Sequence, residues 1–293
     1  MSSKRRSRQV SVGGITLGGD APIRVQSMTN TDTRNVTATV EQIRRLQRSG
    51  CEIVRVAVPD EEAVRALREI KKEVDLPIVA DIHFDYRLAL GALEAGVDKL
   101  RINPGNIGRR EKVEVVARAA KERGVPIRIG VNSGSLRRDI LRKYGSATAE
   151  AMVESALEEV KILEEVGFED IVISLKASDV PRTVRAYKLI ADRVPYPLHI
   201  GITEAGTVRS GAVRSAVGLG ILLWEGIGDT IRVSLCGDPV EEVWTAYEIL
   251  KTLGLRRRGA TVVACPTCGR TEIDVVSLAE RVERALAEVE EPI

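Results

Sequence analysis

Residues 126–132 read PIRIGVN, an apolar run with an arginine near its middle and an asparagine at its end. Four other runs combine apolar residues with a basic side chain: IVRVAV (53–58), KLRINPG (99–105), IVISLK (171–176) and TIRVSL (230–235). Alternate residues of a strand face the same side, so Arg128 shares a face with Asn132, and Arg101 with Asn103. Several cations on the inner face of a barrel require an anion to meet them.

Eight apolar runs of this kind alternate with segments of helical periodicity. We predict strands near 23–28, 53–58, 77–83, 99–105, 126–132, 170–176, 197–203 and 230–235. The segments 61–73 and 150–166 carry apolar residues at three- and four-residue steps, which is typical of helices that cover a sheet. The pattern predicts an α/β fold, a (β/α)8 TIM barrel. The alternative is an open doubly wound sheet, but the first strand–helix turn lacks the G-x-G-x-x-G of its dinucleotide-binding version.

Two segments lie outside the repeat. QVSVGGITLGG (9–19) alternates around two glycines, which predicts a hairpin that caps one barrel end. Beyond residue 254 we predict a linker, a short strand TVVA (261–264) and a helix from about 273 to 289. The chain therefore divides into a barrel domain (1–254) and a linker with the start of a second domain (255–293).

Composition excludes several classes of protein. The 293 residues are 44% hydrophobic, 3% aromatic and carry a net charge of +2, which argues against a nucleic-acid partner. The chain has no apolar stretch of the ~20 residues that cross a membrane and no apolar signal region. We therefore expect a cytoplasmic protein whose four cysteines are thiols or metal ligands.

Barrel enzymes carry their active sites at the carboxyl ends of the strands. Five cations lie in or at the ends of predicted strands: Arg55, Arg101, Arg128, Lys176 and Arg232. Together they predict a polyanionic ligand, most simply one with two phosphates. The alternative is that each cation pairs with an internal acid such as Asp81, Asp170 or Glu204.

Polar side chains accompany the cations. His83 can hydrogen-bond a phosphate, move a proton or serve a structural role. Asn103 and Asn132 offer neutral donors and acceptors. Glu204 can orient a cation, handle a hydroxyl proton or act as a buried salt-bridge partner.

The pair Cys265-x-x-Cys268 is a separate motif. Two thiolates at this spacing can bind one metal or share one cluster, but zinc and iron–sulfur sites need about four ligands. A redox pair lacks a thioredoxin-like context. Cys51 is predicted to be a buried apolar residue, and Cys236 has no predicted role.

These motifs together resemble the 4-hydroxy-3-methylbut-2-enyl diphosphate synthase family of the non-mevalonate isoprenoid pathway. The matching stretches are VQSMTNTDTRN, VRVAVP, ADIHFDYRLAL, LRINPGNIG, IRIGVNSGSL, ISLKAS, HIGITEAGT, IGDTIRVSL and CPTCGR. They follow in order over nearly the whole chain, which makes the resemblance specific.

The resemblance implies a substrate and a site. The substrate is 2-C-methyl-D-erythritol 2,4-cyclodiphosphate, whose ring is opened reductively with loss of water. Its diphosphate would be held by Arg55, Arg101, Arg128, Lys176 and Arg232, with hydrogen bonds from His83, Asn103, Asn132 and Ser234. Glu204 would lie beside the substrate carbons and handle protons, and His83 is a second catalytic candidate.

The resemblance also implies a 4Fe-4S cluster, with Cys265 and Cys268 as its first two ligands. Flavodoxin or ferredoxin would supply electrons, and in the family's homodimer one protomer's cluster domain closes over the other's barrel. A third cysteine and a glutamate ligand follow in a G-C-x-x-N-G-P-G-E motif that these residues do not contain. We therefore expect an incomplete cluster domain and little or no turnover by this chain alone.

Two other functions fit the residues. One is a module that binds the cyclic diphosphate without converting it. The other is a redox-free barrel enzyme that acts on another phosphorylated ligand, such as a pterin or sugar phosphate. The match through CPTCGR disfavours the second.

Overall fold

Eight parallel strands form the centre of the fold. The computed structural model describes residues 2–102, 107, 110–286, 289 and 291–292. The eight strands are β3 (Arg24–Met28), β4 (Ile53–Ala57), β5 (Ile78–Ile82), β6 (Lys99–Ile102), β7 (Ile127–Asn132), β8 (Ile171–Lys176), β9 (His199–Ile200) and β10 (Thr230–Ile231). Their order is β8-β7-β6-β5-β4-β3-β10-β9. A parallel bridge between Ile173 and Leu198 joins the two ends of this order. The predicted barrel is confirmed, and the open sheet is wrong.

Helices cover the outside of the barrel. They are α1 (Val36–Arg48), α2 (Glu61–Glu73), α3 (Tyr86–Glu94), α4 (Arg110–Glu122), α5 (Arg138–Tyr144), α6 (Ala149–Glu165), α7 (Val180–Ala191), α8 (Val208–Trp224) and α9 (Pro239–Thr252). The helix α2 begins where the Asp60 carboxylate accepts a hydrogen bond from the amide of Ala63 at 2.9 Å, and it buries Leu67 and Ile70 against the sheet. Its bounds are those predicted from the apolar spacing.

A hairpin closes the amino-terminal end of the barrel. Its strands β1 (Val10–Val12) and β2 (Ile15–Leu17) pair antiparallel. Gly13 and Gly14 take φ values of +53° and +84° in the two-residue turn between them, a conformation that favours glycine. Side chains from both strands pack against the lowest inward-facing residues of the barrel, which are Ile53, Val79 and Val172. The predicted cap is confirmed.

The segment after α9 is held at the same amino-terminal end. The guanidinium of Arg256 donates to the Ile23 carbonyl at 2.6 Å and pairs with Glu52 at 3.1 Å. Residues 261–264 form no strand, so that prediction is wrong: they pair with no other strand in the described chain. The final helix, α10 (Val275–Leu286), has no buried residue. Within the described ranges, no helix is long and apolar enough to span a membrane.

Candidate active site at the carboxyl ends of the strands

Asp81, in β5, is the acidic centre of the barrel interior. Its carboxylate accepts a hydrogen bond from Arg101 Nη1 at 2.9 Å and lies 3.8 Å from Arg55 Nε. His83 Nε2 lies 3.1 Å from the same carboxylate. Burial raises the pKa of Asp81, but Arg55, the hydrogen bond from His83 and Arg101 outweigh this effect and lower it. Asp81 is therefore ionised and fixes two of the predicted arginines.

Arg128 is a buried cation of the interior that forms no ion pair within the described residues. It is 1% exposed, and its Nε and Nη1 atoms have no hydrogen-bond partner among the described residues. Burial, together with the cations of Arg55 and Arg101, lowers its pKa well below the ordinary value. A buried donor without an acceptor costs free energy, so these atoms are suited to an incoming anion.

Glycine makes room for this arrangement. A Cβ at Gly130, in β7, would lie 2.5 Å from Arg101 Nε, another buried atom without a partner in the described structure. A Cβ at Gly201 would lie 2.6 Å from Lys176 Nζ. Two inward-facing positions are therefore free of side chains where long basic side chains pass.

Lys176 forms a buried pair with a histidine that sequence reasoning missed. Lys176 Nζ lies 3.1 Å from His199 Nε2, and Nδ1 of the same ring hydrogen-bonds the hydroxyl of Thr230. Burial and neighbouring cations lower the pKa of both Lys176 and His199. His199 opens the HIG stretch of a predicted strand, and strand alternation places it on the face of Gly201.

Lys99 was also missed. It is fully buried in β6, two residues before Arg101, and its Nζ has no partner in the described part of the chain. Its pKa is well below the ordinary value because of burial and the nearby charges of Arg128 and Arg55. The alternation that selected Arg101 places Lys99 on the same face, so the signal was present in the sequence.

Arg232 differs from the other predicted cations. Its Nε and Nη2 atoms donate to the carboxylate of Glu242, in α9, at 3.2 and 3.1 Å. Ser27 Oγ donates to the same carboxylate at 2.9 Å. Neither Asp170 nor Glu204, which were considered as partners, forms an ion pair within the described residues. The predicted pairing with internal acids therefore holds for some cations, but with a different acid for Arg232.

The remaining five basic side chains, called here the barrel cations, share one interior carboxylate. They are Arg55, Lys99, Arg101, Arg128 and Lys176. In the described chain only Asp81 forms ion pairs with them. Burial lowers the pKa of Arg55 to about 10, against the attraction of Asp81. The interior thus carries an excess of positive charge with unpaired donors, which suits a ligand of high negative charge.

The other candidate residues lie around this charge. The His83 side chain is 44% exposed, whereas Asn132 and Ser234 are half-buried. Asn132 pairs across the strands with Lys176 and is the last residue of β7. It therefore lies at the carboxyl ends of the strands, which are called here the mouth of the barrel. Asn103, which was also predicted to bind substrate, lies outside the described residues.

Glu204 lies in the loop after β9 and is exposed. Its φ is +51°, and in the described residues it is the one non-glycine residue with a positive φ. Left-handed backbone costs a residue with a Cβ about 1–2 kcal/mol, and such strain concentrates at functional sites. The alternative of a buried salt-bridge partner is therefore wrong, because Glu204 is at the surface.

Glycine in place of Glu204 is expected to stabilise the fold. Glu204→Gly removes the Cβ that strains the left-handed backbone, so we expect the free energy of unfolding to rise by about 1 kcal/mol. Thermal unfolding followed by circular dichroism measures the change. Glu204→Ala, which keeps the Cβ, is the control and should leave the melting temperature near that of the original chain. A lower melting temperature for Glu204→Gly than for Glu204→Ala would contradict the strain argument.

Cys265 and Cys268 are exposed thiols in the segment after the linker. The pKa of Cys268 is lowered by hydrogen bonds from the backbone and side chain of Arg270 and from Thr271. A low thiol pKa favours the thiolate that binds metals. Within the described residues no third cysteine, histidine or acid joins the pair to form a metal site. The pair therefore fits two ligands of a cluster and does not by itself complete one.

The linker that precedes the cysteine pair is attached to the amino-terminal end of the barrel. Lys251 Nζ donates to the Ala260 carbonyl at 3.0 Å, which holds the linker beside the end of α9. This end of α9, like Glu52 and Ile23, belongs to the amino-terminal side of the barrel. The five residues from Ala260 to Cys265 can extend at most about 18 Å. The linker that leads to the thiols is therefore held at the end of the barrel opposite the carboxyl ends of the strands.

Known proteins of similar fold extend the description. A dihydropteroate synthase from Xanthomonas albilineans superposes with a TM-score of 0.60 at 16% identity and covers 85% of this chain and 98% of its own. A type I 3-dehydroquinate dehydratase from Clostridium difficile gives a TM-score of 0.61 at 13% identity, covering 84% of this chain and 98% of its own. At such identities the likeness concerns the fold alone.

Sequence relatives are much closer. Residues 7–247 match the family model of the GcpE TIM-barrel domain. A 4-hydroxy-3-methylbut-2-en-1-yl diphosphate synthase (flavodoxin) from Caldanaerobacter subterraneus is 60% identical over 290 residues, which are 99% of this chain and 82% of the relative. The enzyme of that name from Geobacter sulfurreducens is 62% identical over 287 residues, 98% of this chain and 81% of the relative. The chain belongs to the 4-hydroxy-3-methylbut-2-en-1-yl diphosphate synthase (flavodoxin) family.

Proposed function

We propose that the barrel cations bind the diphosphate of 2-C-methyl-D-erythritol 2,4-cyclodiphosphate for its reduction to 4-hydroxy-3-methylbut-2-enyl diphosphate. The observation that carries the proposal is the excess of buried cations over carboxylates, with unpaired donors on Arg101 and Arg128. Membership of the synthase family supports the choice of this diphosphate over other polyanions.

The reaction consumes two electrons and two protons. One carbon–oxygen bond to phosphate breaks, which opens the ring, and one hydroxyl leaves as water. Phosphate is a better leaving group when cations neutralise its charge, so the barrel cations contribute to bond cleavage as well as to binding. Asp81 holds Arg55 and Arg101 in place for this role.

Proton handling falls to the residues at the mouth. Glu204 and the partly exposed His83 are the proposed catalytic groups: His83 Nε2 lies 3.3 Å from Arg101 Nη1, Glu204 follows β9 on a left-handed backbone, and both reach solvent. Asn132, Ser234 and Asn103 are the proposed hydrogen-bond partners of the substrate. Arg232, paired with Glu242, is proposed to contribute through one face of its guanidinium.

A 4Fe-4S cluster, when bound, would supply the electrons, with Cys265 and Cys268 as two of its ligands. Flavodoxin or ferredoxin is the proposed donor, and the cytoplasm is the proposed location. Because the linker to these thiols is held at the end of the barrel opposite its mouth, we include a homodimer, in which a second copy brings them to the substrate. In this division of labour residues 1–254 bind substrate and residues 255–293 begin the cluster domain.

The proposal is tested by binding and by conversion. Calorimetry should show the cyclic diphosphate binding to the chain, with much weaker binding of a phosphorylated pterin. Phosphorus NMR under anaerobic conditions, with iron, sulfide and reduced flavodoxin, then follows conversion to the linear diphosphate. Conversion that is lost in Cys265→Ser supports the proposal, and conversion unchanged in that variant favours a redox-free enzyme. Binding without any conversion fits both a binding module and a synthase barrel whose described residues supply only two cluster ligands.

Substrate binding is expected to take up protons. The pKa values of Lys99, Lys176 and His199 are depressed by burial and by neighbouring cations such as Arg128. A bound diphosphate stabilises the protonated forms and raises these pKa values. Protons are therefore taken up between the free and bound pKa values, and affinity falls as pH rises through the bound values.

Calorimetry in buffers of different ionisation enthalpy measures this uptake across roughly pH 6–9. The observed binding enthalpy should change from buffer to buffer, in the direction of proton uptake. Lys99→Met should reduce the number of protons taken up, because it removes one of the titrating groups. A binding enthalpy that is the same in all buffers would contradict the prediction.

A further inference from the structure

The lower half of the barrel interior is polar. The strand pairs have the register of an eight-stranded barrel with a shear of 8, so each layer of inward-facing side chains comes from alternate strands. The two lowest layers, called here the barrel floor, are Ile53, Lys99, Val172 and Thr230, and then Gln26, Val79, Arg128 and His199. Branched apolar residues normally fill such layers. Most positions of this floor are instead polar or charged, although all eight residues are at most 1% exposed.

Three side chains of the barrel floor contain polar atoms without partners. In the described chain these atoms are Lys99 Nζ, both amide atoms of Gln26, and Nε and Nη1 of Arg128. Gln26 in β3 and Arg128 in β7 lie four strands apart and therefore face each other across the barrel. Lys99 belongs to the layer directly below them. Unpaired polar atoms of this kind are costly in a folded protein, so three around one axis indicate that a ligand belongs between them.

The unpaired atoms of the barrel floor are mainly donors. His199 is fully used, because Nε2 lies 3.1 Å from Lys176 Nζ and Nδ1 hydrogen-bonds Thr230. Within the described residues, the one side-chain acceptor of the floor without a partner is Gln26 Oε1. A water molecule would bring two hydrogens that need acceptors, whereas an anion only accepts. The balance of donors and acceptors therefore favours an anion.

The barrel floor is enclosed, which limits the size of the anion. The β1–β2 hairpin packs beneath it through Val10, Val12 and Leu17. The layer above it consists of Arg55, Arg101, Ser174 and Arg232. Because none of the eight floor residues is more than 1% exposed, the space between them suits an ion about as large as a water molecule. A diphosphate is much larger, so the ligand of the floor differs from the ligand of the mouth.

We propose that the barrel floor holds a chloride ion on the barrel axis, bound by the Lys99 ammonium group and the side-chain amide of Gln26. Arg128 lies above the ion and attracts it by charge, while its own unpaired donors stay available to a phosphate. The ion is neither substrate nor cofactor, so the proposal goes beyond the proposed function. It neutralises one barrel cation whether the mouth is filled or empty, and Lys99 then acts on the diphosphate through its charge rather than by contact.

Bromide locates the site, because it replaces chloride and scatters X-rays anomalously. Crystals of the original chain grown in sodium bromide should show an anomalous peak on the barrel axis between Lys99 Nζ and Gln26 Nε2. Lys99→Met should abolish this peak. The control is Lys72→Met, on the exposed face of α2 where Lys72 pairs with Glu69 at the surface, and it should keep the peak. Bromide at the mouth or the surface alone, or a floor peak that persists in Lys99→Met, would overturn the proposal.

Thermal unfolding tests the site in solution. Chloride replaces gluconate at constant ionic strength, since gluconate is too large for the floor, and inorganic pyrophosphate in every sample occupies the cations of the mouth. The melting temperature of the original chain should rise by about 3 °C for each tenfold increase in chloride above its dissociation constant. The Lys72→Met control should show the same rise.

Two floor variants complete the solution test. Lys99→Met should show no rise with chloride, and Gln26→Leu should need at least tenfold more chloride for the same rise. Lys99→Met is expected to fold, because methionine fills a similar volume and removes a buried charge, so its melting temperature in gluconate should be no lower than that of the original chain. An original chain that melts at the same temperature in both salts, or a Lys99→Met variant that responds to chloride as the original does, would overturn the proposal.

Discussion

Arg128→Met is expected to weaken binding of the cyclic diphosphate at least a hundredfold and, at the same time, to stabilise the fold. The guanidinium is fully buried, and two of its nitrogen atoms have no partner in the described chain. A phosphate would satisfy these donors through charge-assisted hydrogen bonds, which methionine cannot make. Without ligand, methionine fills the same volume and removes an uncompensated charge, a change that can raise the free energy of unfolding by about 2 kcal/mol.

Calorimetry with the cyclic diphosphate and urea denaturation measure the two effects in one variant. The control is Arg118→Met, on the exposed face of α4, where the surface pair with Glu114 contributes little. Neither affinity nor stability should change in that control. If Arg128→Met lost affinity and stability together, Arg128 would be a structural residue rather than a ligand-binding one.

Substitution of Arg232, which is not one of the barrel cations, should have effects opposite to those at Arg128. Arg232→Met is expected to lower the free energy of unfolding by about 3 kcal/mol, because it leaves the carboxylate of Glu242 buried without its cation. Ser27 and the amide of Leu235 still donate to this carboxylate, but they do not neutralise it. Loss of substrate affinity should be smaller than for Arg128, because the guanidinium is already neutralised by its own partner.

The double variant Arg232→Met with Glu242→Met provides the control. Removal of both charges should recover most of the lost stability, since apolar residues of similar volume replace buried ion pairs with little cost. Urea denaturation of the two single variants and the double variant completes the cycle. A double variant as unstable as Arg232→Met would show that the pair is not the source of the effect.

Most of the site was predicted from one rule, that alternate residues of a strand face the same side. It placed Arg101, Arg128 and Lys176 on the inner face, and the same rule applied to Lys99 and His199 would have found both. Lys99 opens its run, where a polar residue is easily assigned to the preceding turn, whereas His199 is the third residue of the predicted strand 197–203 and only the alternation with Gly201 marks it as inward-facing. Strand limits were less predictable: the last two strands are two residues each, since few of their residues pair in the ladder.

Partners distant in sequence could not be predicted in this way. Arg232 pairs with Glu242 across the strand–helix turn, and only the packing of α9 on the barrel decides this contact. Local pattern was also misleading at 261–264, where β-branched residues find no strand to pair with in the described structure. Alternation gives the direction of a side chain, whereas the identity of its neighbour depends on the tertiary fold.

The β1–β2 hairpin leaves the barrel interior with a single opening. Its buried valines and Leu17 seal the base, and the bridge from Ile173 to Leu198 seals the wall. Substrate that enters toward the buried guanidinium groups and product that leaves them must then use the same end of the barrel, which is called here the rim. Product has to depart before the next substrate can arrive, so the pace of exchange at that rim sets an upper limit on turnover.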